Sequence, residues 1–484
     1  MIKQLLLKIV LSLSLIITVS CERNRNQPEK VPQEQSNKIY PNPKKAIPET
    51  SSKPLRIKLY IENSGSMSGY VNGMTELKDV LHNLLVDLKY YYKQNNIEIY
   101  FINSQVIDNP IKTAVVNFAS QLTPNSIKIG NTSSSNLNLV YRQILDKSDS
   151  NSVSILFSDC IYSIKGQNTP QLLDDQKALT KDVFLTASTG GKKITTNFYQ
   201  FSSQFNGFYY DMNGLPFQIN SKRPYYINII GEQNPVTEFS EKLGKKITQY
   251  KGYSNEYLMN LKDYRITDYT VLTSTLNSGV IKPLRGNNET KLVKAIEKPK
   301  LDRNSQNFSF ALALNLKSLN IGEDYLLKTE NYTVSDQIFK VKKIGKVEND
   351  EIKFGNTEIV KLNPIDLKRV SDGMTHVIVF ESTKPNFKAL QFSLKRNTPD
   401  WVSKSTSLDD TKIVSDSTEQ NKTFGLSYLV DGITDAYVMQ TNEKELFKLN
   451  IPIENQKSFP YGFLILGVII VLGLLYFITK KLNK

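Results

Sequence analysis

At 484 residues and 39% hydrophobic, the chain can bury at least one large core, with length left for a second. A formal charge of +14 would suit nucleic acid or an anionic surface, but the lysines fall singly or in pairs. No helix carries one basic face and no basic-aromatic interleaving is present, which excludes nucleic acid as the leading partner and leaves positive charge beside anionic lipid as the simpler account.

Met1 to Ser20 has Lys3 and Lys8 in a short basic start, then a Leu/Ile/Val run, then Thr18-Val19-Ser20-Cys21. That is the plan of a secretory signal over 1–20, ending where a bacterial lipoprotein signal places its lipidated cysteine, here Cys21. Thr18 stands where such signals usually carry Leu, and an uncleaved anchor or cleavage elsewhere is the alternative. Lipidation of Cys21 leaves Cys160 alone, so no intrachain disulfide forms and packing must hold the fold. Residues 21–54 are rich in Pro, Gln, Asn, Ser and Lys and read as a flexible tether.

From 55 to 245 strand and helix patterns alternate. Arg56 to Ile61 reads as a strand, and Glu76 to Lys93 as a helix with Leu77, Val80, Leu81, Leu84, Leu85 and Leu88 on one face. Ile97 to Ile102 is strand-like, Leu137 to Leu145 helical, Val153 to Phe157 a buried strand and Gln176 to Ala187 a helix. Ile194 to Phe201 and Tyr225 to Ile230 are further strands, followed by a helix from Pro235 to Leu243. The alternation predicts an α/β domain with a parallel-rich sheet and helices on both faces. Gly207 to Pro224 reads as a hairpin inserted before the last strand; its aromatic stretch around Tyr209 and Tyr210 is a fold decoration, or else a wider recognition surface.

Between 250 and 456 the helical period fades. Phe308 to Leu312, His376 to Phe380 and Ala389 to Leu394 recur between turn residues and predict a β-rich, sandwich-like region, with a late helix over Phe424 to Tyr437. Tyr461 to Thr479 is uninterrupted apolar sequence. As a helix its roughly 19 residues cross about 28 Å, enough for a hydrocarbon core. Tyr461 and Tyr476 sit where interfacial aromatics belong, and the lysines of 480–484 favour a cytosolic tail. Both ends thus point to one membrane, with the main domains outside the cytosol.

The chemistry concentrates in Leu59-Tyr60-Ile61-Glu62-Asn63-Ser64-Gly65-Ser66-Met67, where a buried strand breaks into a carboxylate, two hydroxyls and a glycine. Oxygen-only ligands of this kind suit a hard divalent cation. Two more pieces follow in order: Gly130-Asn131-Thr132 before a helix, and Phe157-Ser158-Asp159 at a strand end. Together these resemble the metal-ion-dependent adhesion site (MIDAS) of von Willebrand factor A (vWA) domains, whose first motif is Asp-x-Ser-x-Ser, with Glu62 in place of the aspartate. The resemblance covers 55–245 and implies a doubly wound vWA-type sheet.

It further implies Ser64 and Ser66 as direct ligands, and Thr132 and Asp159 as direct or water-mediated ones. Glu62 becomes a hydrogen-bond acceptor outside the ion's direct contacts. Mg²⁺ is the expected ion, with Mn²⁺ or Ca²⁺ as alternatives, because the longer Glu62 side chain suits a looser geometry. Such an ion keeps one position for an acidic side chain of a partner protein, so the expected function is binding without turnover.

Enzyme readings are weaker. Gly65-Ser66-Met67-Ser68-Gly69 puts Met67 where a nucleophile elbow needs serine. The two histidines, His82 among the leucines of the first predicted helix and His376 opening a strand, read as structural. A metal-dependent hydrolase lacks the carboxylates and histidines of a two-metal site. Cys160 beside Asp159 is a poor thiolate and reads as a core residue. The second expectation is a metal-free scaffold of an envelope complex, as some bacterial membrane-anchored vWA proteins accompany chaperone-type ATPases.

Overall fold

The computed structural model describes residues 54–132, 135–164, 168–259, 269–283, 293, 295–319, 321–335, 338–370, 373–384, 389–441 and 444–454. The predicted signal segment, Cys21, the tether up to residue 53, the predicted span and the tail lie outside them. Among the described residues no helix is long and apolar enough to cross a membrane.

A seven-stranded sheet organises the first half, in the order β3-β2-β1-β4-β6-β5-β7. Its strands are β1 (Arg56–Glu62), β2 (Ile97–Ile102), β3 (Val106–Asp108), β4 (Ser152–Ser158), β5 (Ile194–Tyr210), β6 (Pro216–Glu232) and β7 (Tyr253–Met259). β1 runs parallel to both β2 and β4, and all seven residues of β4 are buried, as its apolar composition requires. Helices cover both faces. On one lie α1 (Glu76–Tyr92) and α4 (Gln233–Ile247), whose Leu77, Val80, Leu84, Val236 and Phe239 pack against Ile57, Leu59 and Ile61. On the other, α2 (Leu137–Asp146) and α3 (Thr169–Ala187) pack Val140, Ile144, Val183 and Phe184 against Tyr60 and Leu156. The apolar positions of α1 recur at helical spacing, and Thr75 starts it by accepting the Lys78 amide at 3.4 Å.

The sheet is mixed rather than parallel-rich. Gly207 to Pro224 is not an insertion but the outer half of two 17-residue strands, β5 and β6, joined by a tight turn at 211–215. A direct hairpin forces β5 and β6 to pair antiparallel, and β6 also runs against β4 and β7 against β5.

Beyond β7, a six-stranded antiparallel sheet centred on Phe308–Leu314 and His376–Ser382 faces a three-stranded sheet built on Leu390–Lys395. Phe310, Leu312, Phe380, Phe392 and Phe447 fill the space between them, with Phe380 and Phe392 ring centroids 5.0 Å apart. One segment of this half returns to the first sheet. The helix α5 (Leu426–Thr441) packs on α3, with Gly432 so close that a Cβ would lie 2.7 Å from the Lys177 carbonyl. Ahead of it, Tyr226 and Thr423 share a hydroxyl hydrogen bond at 3.0 Å. This places Val402 and residues 424–437 against the face of the sheet that carries α2 and α3, while Ile413 joins the core of the other face.

Candidate metal centre

The parallel strands β1, β2 and β4 end at one edge of the sheet, and each hands the chain to a polar loop there. Ligands gather at such edges because the strands stop together and the following loops diverge. β1 ends in Glu62, which is 1% exposed. Ser158 closes β4 and donates its hydroxyl to the Glu62 carboxylate, while accepting the Cys160 amide at 2.8 Å. Ser64, at the N-cap of the 3₁₀ helix Gly65–Val71 after β1, and Ser66, in its first turn, have hydroxyl oxygens 3.2 Å apart. Asp159 follows Ser158 and is 1% exposed; its Oδ1 accepts the Ile161 amide at 3.3 Å, and its buried Oδ2 makes no hydrogen bond.

Thr132 joins through its backbone, because the Gly65 amide donates to its carbonyl at 3.0 Å. Two asparagines that the sequence reading passed over make that junction. Asn63 donates to the Ile127 and Ile129 carbonyls at 3.0 and 2.7 Å. Asn103, just after β2, donates to Asn63 Oδ1 at 3.1 Å and to the Asn131 carbonyl at 2.7 Å. Their signal was available: each follows the last apolar residues of a strand, where a buried amide is costly unless it ties down a loop.

The β5–β6 hairpin roofs the centre. Gly69 touches it so closely that a Cβ would sit 2.4 Å from the Phe205 ring. Tyr210 and Asp211 of the hairpin, with Glu62, Ser64, Ser66 and Ser135 below, enclose a cleft of about 210 Å³. Tyr209, named with Tyr210 in the sequence reading, faces the other way and is fully buried, so only Tyr210 can meet a ligand. Tyr209 donates to Asp410, which also accepts the Met212 amide at 2.9 Å. Arg223, also buried, stacks 4.4 Å from the Tyr209 ring and donates to the Gln420 and Lys422 carbonyls at 3.3 and 3.4 Å.

The electrostatics are those of two carboxylates short of positive charge. Burial, then the Asp159 charge, pushes the Glu62 carboxyl up to about 8, against the opposing pull of the Ser158, Ser135 and Ser64 hydroxyls. Burial also raises the Asp159 carboxyl, opposed by the Ser66 hydroxyl, the Ile161 amide and the Arg223 charge. An oxygen-only set with a buried, partnerless carboxylate oxygen fits a hard divalent cation, which would supply the missing charge. Hydroxyls would have to complete the set, since no group of three or more His, Cys, Asp or Glu gathers for a metal among the described residues.

The rest of the functional inventory lies elsewhere. His82 bonds the Val116 carbonyl at 2.9 Å, and His376 sits between Thr375 and Glu323 in the six-stranded sheet. Neither bonds Ser64 or Ser66. Cys160 is fully buried and burial pushes its thiol up, away from a reactive thiolate. Compared with known families and with curated proteins, the chain matches no family model and no curated sequence.

Proposed function

We propose that this chain is an envelope protein whose α/β domain, of vWA type, binds a divalent cation at Ser64, Ser66, Thr132 and Asp159 and engages a protein partner through it. The observation that carries the reading is the Asp159 carboxylate: buried, with Oδ2 lacking a hydrogen bond, and electrostatically opposed by Glu62, a second buried carboxylate that lines the cleft. Leaving such a group uncompensated costs several kcal/mol, a cost that a bound cation removes. Mg²⁺ is the first choice, with Mn²⁺ or Ca²⁺ next. The ion supplies a Lewis-acidic position for one carboxylate of the partner. Ser64 and Ser66 orient toward it, and Glu62 stays behind them as the acceptor of Ser158. There is no turnover.

The proposed setting is the membrane, reached by a lipidated Cys21 and the 461–479 span, with the binding domain outside the cytosol and 480–484 inside.

A second reading, a metal-free scaffold, draws on two features: Ser158 already satisfies Glu62, and the hairpin covers the loops. Thermal melts of the full-length chain with Mg²⁺, Mn²⁺ and Ca²⁺ separate the two. A cation that binds only the folded state raises the melting temperature with its concentration. The metal reading expects that rise in the wild type and its loss in Asp159→Ala. A melt indifferent to all three ions hands the function to the scaffold.

A further inference from the structure

A larger cleft, of about 710 Å³, lies along β7, the edge strand three places from β4 in the sheet. Its size falls within the range of small-molecule sites. Three aromatic rings line it: Tyr253 from β7, Tyr325 from the 322–331 segment and Trp401 from the short helix Asp400–Lys404. Trp401 is the only tryptophan of the chain. Its indole Nε1 donates to the Glu256 carbonyl at 3.3 Å, which fixes the ring against β7 and covers that point of the strand edge. An added β-strand is therefore a poor occupant.

The charges in the cleft run against those of the chain. Of its carboxylates, Asp400 is paired with Lys328, and Glu323 with Lys346 at 3.5 Å. Glu256 and Asp324 have no ion pair among the described residues, and both act on the Tyr253 hydroxyl, which sets them around that ring. Glu256 is half-buried, and burial raises its carboxyl with no neighbouring cation to oppose it. So a chain of net charge +14 holds a roomy aromatic cleft lined by four carboxylates, Glu256, Glu323, Asp324 and Asp400, against two lysines, Lys328 on Asp400 and Lys404 near it. Methylenes against aromatic faces beside a carboxylate are what an alkylammonium ion requires.

We propose that this cleft binds an alkylammonium ligand, its charged head on Glu256 and Asp324 and its methylene stem along Tyr253 and Trp401. The same chemistry can come from a free diamine or from a lysyl side chain of a peptide. This site is independent of the proposed cation centre.

Trp401 reports occupancy directly. The full-length chain is titrated with cadaverine, with trilysine and with the diol matching cadaverine, following tryptophan emission. A saturable change with an amine and none with the diol is expected. Tighter binding of trilysine assigns the source to a polypeptide, and tighter cadaverine to a free amine. Glu256→Gln, which keeps shape and removes charge, should weaken the amine by roughly ten- to a hundred-fold. Asp324→Asn, at an exposed position, should weaken it less and serves if the first variant misfolds. The proposal is overturned by no saturable change with either amine up to about 10 mM. Equal binding of the diol, or wild-type affinity in both variants, overturns it as well.

Discussion

Glu62→Gln should make the ion-free protein more stable at neutral and alkaline pH, although it alters a fully buried residue. The amide keeps an oxygen for the Ser158 hydroxyl and removes the charge that Asp159 opposes. A carboxyl raised in the folded state binds its proton more tightly there than in the unfolded chain. Folded protein then holds more protons than unfolded, and stability falls as pH rises between the two values. For Glu62 that window runs from the ordinary 4.5 to about 8. At ~1.4 kcal/mol per pH unit, this displacement sets a ceiling of about 5 kcal/mol above pH 8 and about 3 kcal/mol at pH 7. Sharing with Asp159 brings the expected gain of the variant at pH 7 to about 2 kcal/mol.

The assay is urea unfolding of both proteins in chelator across that window. The two should coincide at its acid end and diverge toward pH 8, with the wild type the less stable. Adding Mg²⁺ should reverse the trend in the wild type, since a cation on Asp159 supplies nearby positive charge that favours the ionised form of Glu62. A wild type whose stability relative to Glu62→Gln is flat or rises with pH in chelator would refute the account of Glu62 as an uncompensated buried acid.

The loop junction and the roof are tested separately. Asn63→Ala removes the side-chain donor from the Ile129 carbonyl, and one of two donors from the Ile127 carbonyl, and should cost about 1–3 kcal/mol in a denaturant melt. It should also weaken any cation-induced stabilisation, since the loop that carries Thr132 keeps only the Gly65 amide as its tie to the β1 loop; an unaltered cation response would place Thr132 outside the site. Gly69→Ala drives a methyl into the Phe205 ring and should destabilise by about 1–3 kcal/mol, read as a lowered urea midpoint. Faster amide exchange should then appear in β5 and β6, and unchanged exchange there would mean that the hairpin does not rest on the first loop.

Much of the local structure was written in the sequence. The leucines of α1 repeat at helical spacing, and β1, β2 and β4 are short apolar runs bounded by polar breaks, so each segment could be placed to within a few residues. The polar ends of those strands were legible too: Glu62, Ser64, Ser66 and Asp159 lie around one sheet edge because parallel neighbours end together. These features depend on residues close in the chain, where period and composition carry the information.

What the tertiary structure alone decided depends on residues far apart. Whether the polar residues between 207 and 224 form an insertion or continue two strands turns on the pairing of β6 between β4 and β5. The helix Leu426–Thr441 completes the face of a sheet that begins at Arg56, because its buried side finds α3 rather than the neighbouring sandwich. Tyr209 and Asp410, or Arg223 and the Gln420 carbonyl, are nearly 200 positions apart, and no local pattern announces them. The charge state of Glu62 is of the same kind. A glutamate after a strand is ordinary by itself; burial and the Asp159 carboxylate, delivered by another strand, turn it into a group that holds its proton toward neutral pH.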